Sequence, residues 1–178
     1  MLPTPLYICL TIYLCIYFTI QSISDIKTKE VYVGLNNATL FITASTFLFK
    51  LITLPTYPDL YGFLYLLIIP VMLFVIYRIN IFGIGDLKAY LSVYFYIASS
   101  KYVSLYPLAR SRMILNSEYT YDLYFIFCIV LLLSMFLPLI VHKLIKREKK
   151  EIRYPAFPYI FVSLLIFSHI LLGVNYTY

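Results

Sequence analysis

Two of the chain's eight acidic side chains, Asp25 and Asp86, stand beside long apolar runs. Asp25 closes a stretch that carries no charge from residue 1 to residue 24. Asp86 lies in "IFGIGDLKAY", residues 81–90, behind Gly83 and Gly85 and two residues before Lys88. An ionised group against hydrocarbon is costly and needs a compensating role. Singly, each aspartate has a plain one: Asp86 can cap a helix after flexible glycines, and Asp25 can mark the membrane surface. Together they offer more. Two carboxylates held close cannot both ionise easily, so they share a proton. The ionised one takes a proton from a water between them, and the other donates to a carbonyl oxygen. That is peptide hydrolysis without a nucleophilic serine or thiol. The titration belongs to the pair, so neither role is assigned to one residue. The glycines would let another backbone, such as a substrate strand, approach Asp86 closely.

Four of the other six acids read more simply. Glu148 and Glu151 lie among lysines in "KLIKREKKEIR", a solvated run with local ion pairs. Asp59 and Asp122 precede apolar segments and are expected to cap them. Cys9, Cys15 and Cys128 fall in apolar runs and read as small packing residues; with His142 and His169 they form no metal-ligand spacing. No metal or cofactor is expected.

The acids must be positioned by membrane-spanning helices. Of 178 residues, 62% are hydrophobic and 12% charged, far from the balance of a soluble domain. Six apolar segments approach the roughly 20 residues of a spanning helix: Pro3–Ser24, Val31–Phe49, Leu60–Tyr77, Asp86–Tyr106, Leu123–Val141 and Pro155–Val174. The first has no basic lead-in and no small-x-small cleavage site, so it reads as a retained span and not a signal peptide. The fold expected is all-α, one polytopic membrane-embedded domain over residues 1–178. The net charge of +6 reports topology and not nucleic acid. Loops one, three and five carry Lys27, Lys29, Arg78, Lys88 and the run from Lys143 to Arg153; the other side has Lys50, Lys101, Arg110 and Arg112. The basic side faces the cytoplasm, and both termini face out. Asp25 and Asp86 then share the inner rim, whereas Tyr121–Asp122 falls on the opposite face.

"SDIKTKEVYVGLNN" and "FGIGDLKAYLSVY" resemble the two signature segments of type IV prepilin peptidases, including the archaeal preflagellin peptidases. In that family one Asp follows the first span and a second sits in Gly-x-Gly-Asp-x-Lys at the start of the fourth, here Asp25 and Gly83, Gly85, Asp86 and Lys88. "RYPAFPYIFVSLLIF" is similar to the family's last span, with Pro155 and Pro158 in a Pro-x-x-Pro opening. The resemblance implies a membrane aspartic endopeptidase of the plasma membrane, without cofactor. Its partner would be a prepilin or preflagellin precursor, cut at the cytoplasmic face beside the substrate's hydrophobic helix to release a short basic leader. The bifunctional members carry paired Cys-x-x-Cys in a cytoplasmic region. This chain has none, so no methyltransferase activity is expected. Glu30, just past Asp25, is a candidate receiver for the basic leader, with pairing to Lys27 or Lys29 as the equal alternative. Lys88 either orients Asp86 or anchors its helix at lipid phosphates. Two other classes stay open: a proton-coupled transporter, and a non-enzymatic membrane subunit in which both aspartates only cap helices.

Overall fold

Apolar runs of helical length give four long helices in chain order: α1 (Thr4–Thr28), α2 (Val33–Thr53), α3 (Leu60–Arg78) and α4 (Ile84–Ser99). Two further helical segments, α5 (127–134, with 136–137) and α6 (157–165), follow. Two-residue strands β1 (Val103–Ser104) and β2 (Tyr121–Asp122) pair in parallel, Val103 opposite Tyr121. The computed structural model describes residues 4–28, 30–53, 60–79, 83–99, 103–104, 121–122, 127–134, 136–137 and 157–165. Asp59, Glu148, Glu151 and Pro155 lie outside the described residues.

Side-chain contacts fix the direction of each helix. α2 and α4 are parallel: Asn36 meets Gly85 at their starts (3.1 Å) and Lys50 meets Ala98 at their ends (2.6 Å). α1 opposes α4, with Thr11 against Tyr96 at 2.9 Å. α3 packs on α4 as well, the Tyr94 hydroxyl donating to the Leu66 carbonyl at 2.7 Å. Along α5, Phe127 packs edge-on to Tyr94 and Ser134 bonds Tyr90, the antiparallel order again. α6 opposes α1: its first turn meets Asp25, and Phe161 stacks on Phe18. α1 and α5 therefore run one way, and α2, α4 and α6 the other.

α4 is the central element. Ten of its sixteen residues are buried, among them Ala89, Tyr90, Val93, Tyr94 and Ile97. A helix enclosed on most sides is apolar around its circumference, with small residues where neighbours approach. Its closest packing is on α2, whose inward face carries Asn36, Thr39, Thr43, Phe47 and Lys50. The threonines there satisfy themselves on their own helix: Thr39 donates to the Leu35 carbonyl and Thr43 to that of Thr39. Ser92 and Ser99 do the same on α4. The seam is thus polar in composition but internally bonded.

Outside, the pattern is inverted. Ile8, Ile12, Ile16, Ile20, Ile23 and Ile26 form an exposed stripe on α1. An apolar outer face is what lipid contact demands, and a water-exposed face of this kind would be sticky. Within the described residues α1 (over Ile8–Thr28) and α2 are long and apolar enough to cross a membrane.

Several boundaries differ from the sequence-based expectation. α1 continues through Asp25 to Thr28, because Thr28 and Ser24 hydroxyls take up the carbonyls of Ser24 and Glu30 at its end. α2 runs past Lys50 to Thr53, since the ammonium is buried against the C-terminal Ala98 carbonyl of α4 and is not a loop charge. α4 begins two residues before Asp86 and stops at Ser99, short of Tyr106, where the chain leaves for β1. At 16 residues it rises only about 24 Å. Asp122, expected to cap the fifth span, lies in β2; residues 123–126, where that cap would act, are outside the described residues. Cys9 and Cys128 are exposed and pack nothing inside.

Because Lys50 donates a charged hydrogen bond to a helix C-terminus, Lys50→Ala is expected to lower stability by about 2 kcal/mol. Lys50→Met keeps the aliphatic stem, removes a buried charge, and costs less. Thermal unfolding in detergent measures both.

Candidate active site

Asp86 is placed by the way α4 starts. The Leu87 N–H donates to the Gly83 carbonyl at 3.0 Å, which makes Gly83 the N-cap. Asp86 is then the third helical residue, and its Oδ2 accepts the Gly83 N–H at 2.9 Å. This is the returning half of a capping box, with Asp in the position Glu or Gln usually takes. The sequence suggested Asp86 as the N-cap itself; the helix begins earlier because Ile84 and Gly85 already wind into it. Asp86 is half-buried and lies within electrostatic range of the Tyr17 and Tyr90 phenols.

Asp25 sits in the last turn of α1, half-buried, where a negative charge opposes its own helix dipole. The compensation comes from elsewhere: its Oδ2 accepts the Phe157 N–H at 3.3 Å, at the N-terminus of α6. Each carboxylate therefore meets the positive end of a helix, Asp86 its own and Asp25 another's. Pro158 follows in the first turn of α6, where a missing N–H is tolerated.

A set of polar contacts brings these two turns to the same end of the helical assembly. Gln21 clips the α1–α2 connection, its amide giving a bond to the Tyr32 carbonyl and taking one from the Tyr32 N–H, both 3.0 Å. Asn36, 1% exposed, accepts from the Tyr17 hydroxyl at 2.6 Å and donates to the Gly85 carbonyl at 3.1 Å. Gly85 faces Val31 so closely that a Cβ there would lie 3.6–3.7 Å from the valine side chain. The room cleared at Gly85 is thus filled by the chain's own α1–α2 connection and not by an open groove. Lys88 reaches Asn37 Oδ1 at 2.6 Å, an arrangement that ties α4 to α2. Glu30 is exposed; its N–H and carbonyl are held by Thr28 and Ser24. Tyr121–Asp122 lies at the far end of α4, next to β1.

One buried hydroxyl, Ser22 Oγ, has no hydrogen-bond partner and sits one turn before Asp25 on the same face of α1. Asn36, Asn37, Gln21 and Tyr17 were not singled out from the sequence. Their signal was there: amides inside apolar runs are costly unless paired.

A methyl group at Gly85 meets Val31 at ordinary contact distance, so Gly85→Ala is expected to fold with unchanged or slightly raised stability. Gly85→Leu forces α4 off the connection and lowers the melting temperature in detergent. No protein-family model matches the chain, and neither a curated protein nor a solved structure matches it.

Proposed function

We propose that the chain is a membrane aspartic endopeptidase, with Asp25 and Asp86 as its catalytic pair. The substrate class is a prepilin-like or preflagellin precursor, whose short basic leader is removed at the cytoplasmic face of the plasma membrane. The observation that carries this reading is the placement of the last turn of α1 and the first turn of α4 at one end of the assembly. Six alternating helices crossing the bilayer, with both termini outside, agree with the opposed directions of neighbouring segments and with the inward bias of basic residues. Gly83, Gly85 and Lys88 complete the motif around Asp86.

The mechanism asks the two carboxylates to share a proton around one water. One takes the water's proton as it attacks the scissile carbonyl, and the other protonates the carbonyl oxygen. The oxygen of each that accepts a backbone N–H fixes its orientation, and the second oxygen is the one with reacting geometry to satisfy. Leader cleavage needs no metal, and no methyl transfer is assigned to the chain.

One observation favours a second reading, a non-enzymatic membrane subunit: both carboxylates accept an N–H at a helix start, the work of a structural cap. A proton-coupled transporter is less well supported. The buried hydroxyls of the α2–α4 seam are bonded to their own helices, which leaves them poorly suited to carry a hydrated path.

Asp25→Asn and Asp86→Asn separate these readings. Each is expected to lower cleavage of a prepilin or preflagellin peptide by about 10²–10⁴-fold, while the protein stays folded. Mass spectrometry of the product reads the result. Cleavage at the unaltered rate by either variant defeats the peptidase reading, and altered proton flux without peptide product favours transport. Glu30→Gln is expected to weaken binding of basic leaders, seen as a raised KM at unchanged kcat; an identical KM removes Glu30 from the site.

A further inference from the structure

The amide of Asn36 is buried at the junction of three helices, and its orientation is set by chemistry. The Gly85 carbonyl can only accept, so the group facing it is the amide Nδ2. The carbonyl end, Oδ1, then receives the Tyr17 hydroxyl proton. Both bonds are made in a position 1% exposed, where a lost partner is not replaced by water. Asn36 thus links α1 to the start of α4 through its two ends. Gly85 is the residue immediately before Asp86, so holding its carbonyl fixes the depth and rotation of the first turn that carries the carboxylate.

We infer that Asn36 is a positioning residue for Asp86, setting where that carboxylate stands relative to Asp25. This rests on the peptidase reading above. A displacement of about 1 Å at a reacting group costs on the order of 10²-fold in rate, so a clamp on the adjacent peptide is a rate-determining contact although Asn36 touches no substrate.

Two measurements test it, one of which needs no activity. An ideal Cβ at Gly85 lies 3.7 Å from Val31 Cβ, inside the span a disulfide bridges. In a background with Cys9, Cys15 and Cys128 replaced, the pair Val31→Cys and Gly85→Cys should oxidise readily. Adding Asn36→Leu should lower the yield at a fixed oxidation time at least several-fold, with Tyr17→Phe giving a smaller fall. An unchanged yield overturns the clamp. The second measurement is leader cleavage by full-length Asn36→Leu and Tyr17→Phe in detergent, normalised to folded protein. Asn36→Leu should lower kcat by about 10²-fold with KM nearly constant and move the pH profile, because the spacing of the carboxylates sets how they share a proton. Tyr17→Phe should move both in the same direction by less. A loss that disappears on normalisation, with the pH profile unmoved, assigns Asn36 to stability alone and overturns the inference. If the unaltered protein cuts no leader peptide, or Asp86→Asn cuts normally, the peptidase reading fails and the positioning role falls with it, while the cross-link still decides whether the clamp exists.

Discussion

A single carboxamide in an apolar interior orders this structure. Asn36 has two bonds to make and cannot make them to water, so the helices on either side must supply the partners at fixed places. Tyr17 of α1 and the Gly85 carbonyl of α4 do so. Sliding either helix by one residue would leave at least one polar group unpaired. Apolar contacts alone are poor at specifying such a register, because neighbouring isoleucines and leucines are nearly interchangeable. That constraint fixes the level at which α1, α2 and α4 meet, while Lys50 at the other end of α2 and Thr11 on α1 fix the directions in which they run.

The peptidase reading proposed above sets two demands on the aspartates against each other. Helix N-termini stabilise negative charge, and both carboxylates meet one. Bringing two such anions together, however, favours a shared proton. Peptide hydrolysis by such a pair would use the second tendency and be opposed by the first. Asp86 is bound by its own helix and moves with it. Asp25 accepts from α6, a separate segment, so its share of the compensation depends on how α6 packs against α1 through Phe157 and Phe161.

Much of the architecture was legible in the sequence because lipid-facing helices write a strong signal. The start of α3 at Leu60 coincides with the expected one, and its end at Arg78 lies one residue beyond it, for a charge terminates an otherwise unbroken apolar run. Where lysine was read as a boundary the reading failed. Lys50 looked like a helix end, yet its flexible stem lets it lie along α2 and bond α4. α4 was expected to reach Tyr106 because hydropathy does not mark the point at which a chain turns into a short strand. The candidate site was legible as two acids and two glycines. The groups that hold them were not, since the value of Asn36 or Gln21 depends on what a distant segment presents to it. Gly85 shows the same limit: a missing side chain announces close approach but does not say that Val31 of the same chain is the neighbour.

The Gln21–Tyr32 pair has a bearing on how the chain is made. Its carboxamide imitates a peptide group and satisfies both backbone polar atoms of Tyr32. Backbone groups satisfied in this way need no partner from elsewhere in the chain. The α1–α2 pair can thus close through residues 21 and 32 alone, before α4 has been synthesised to meet Asn36.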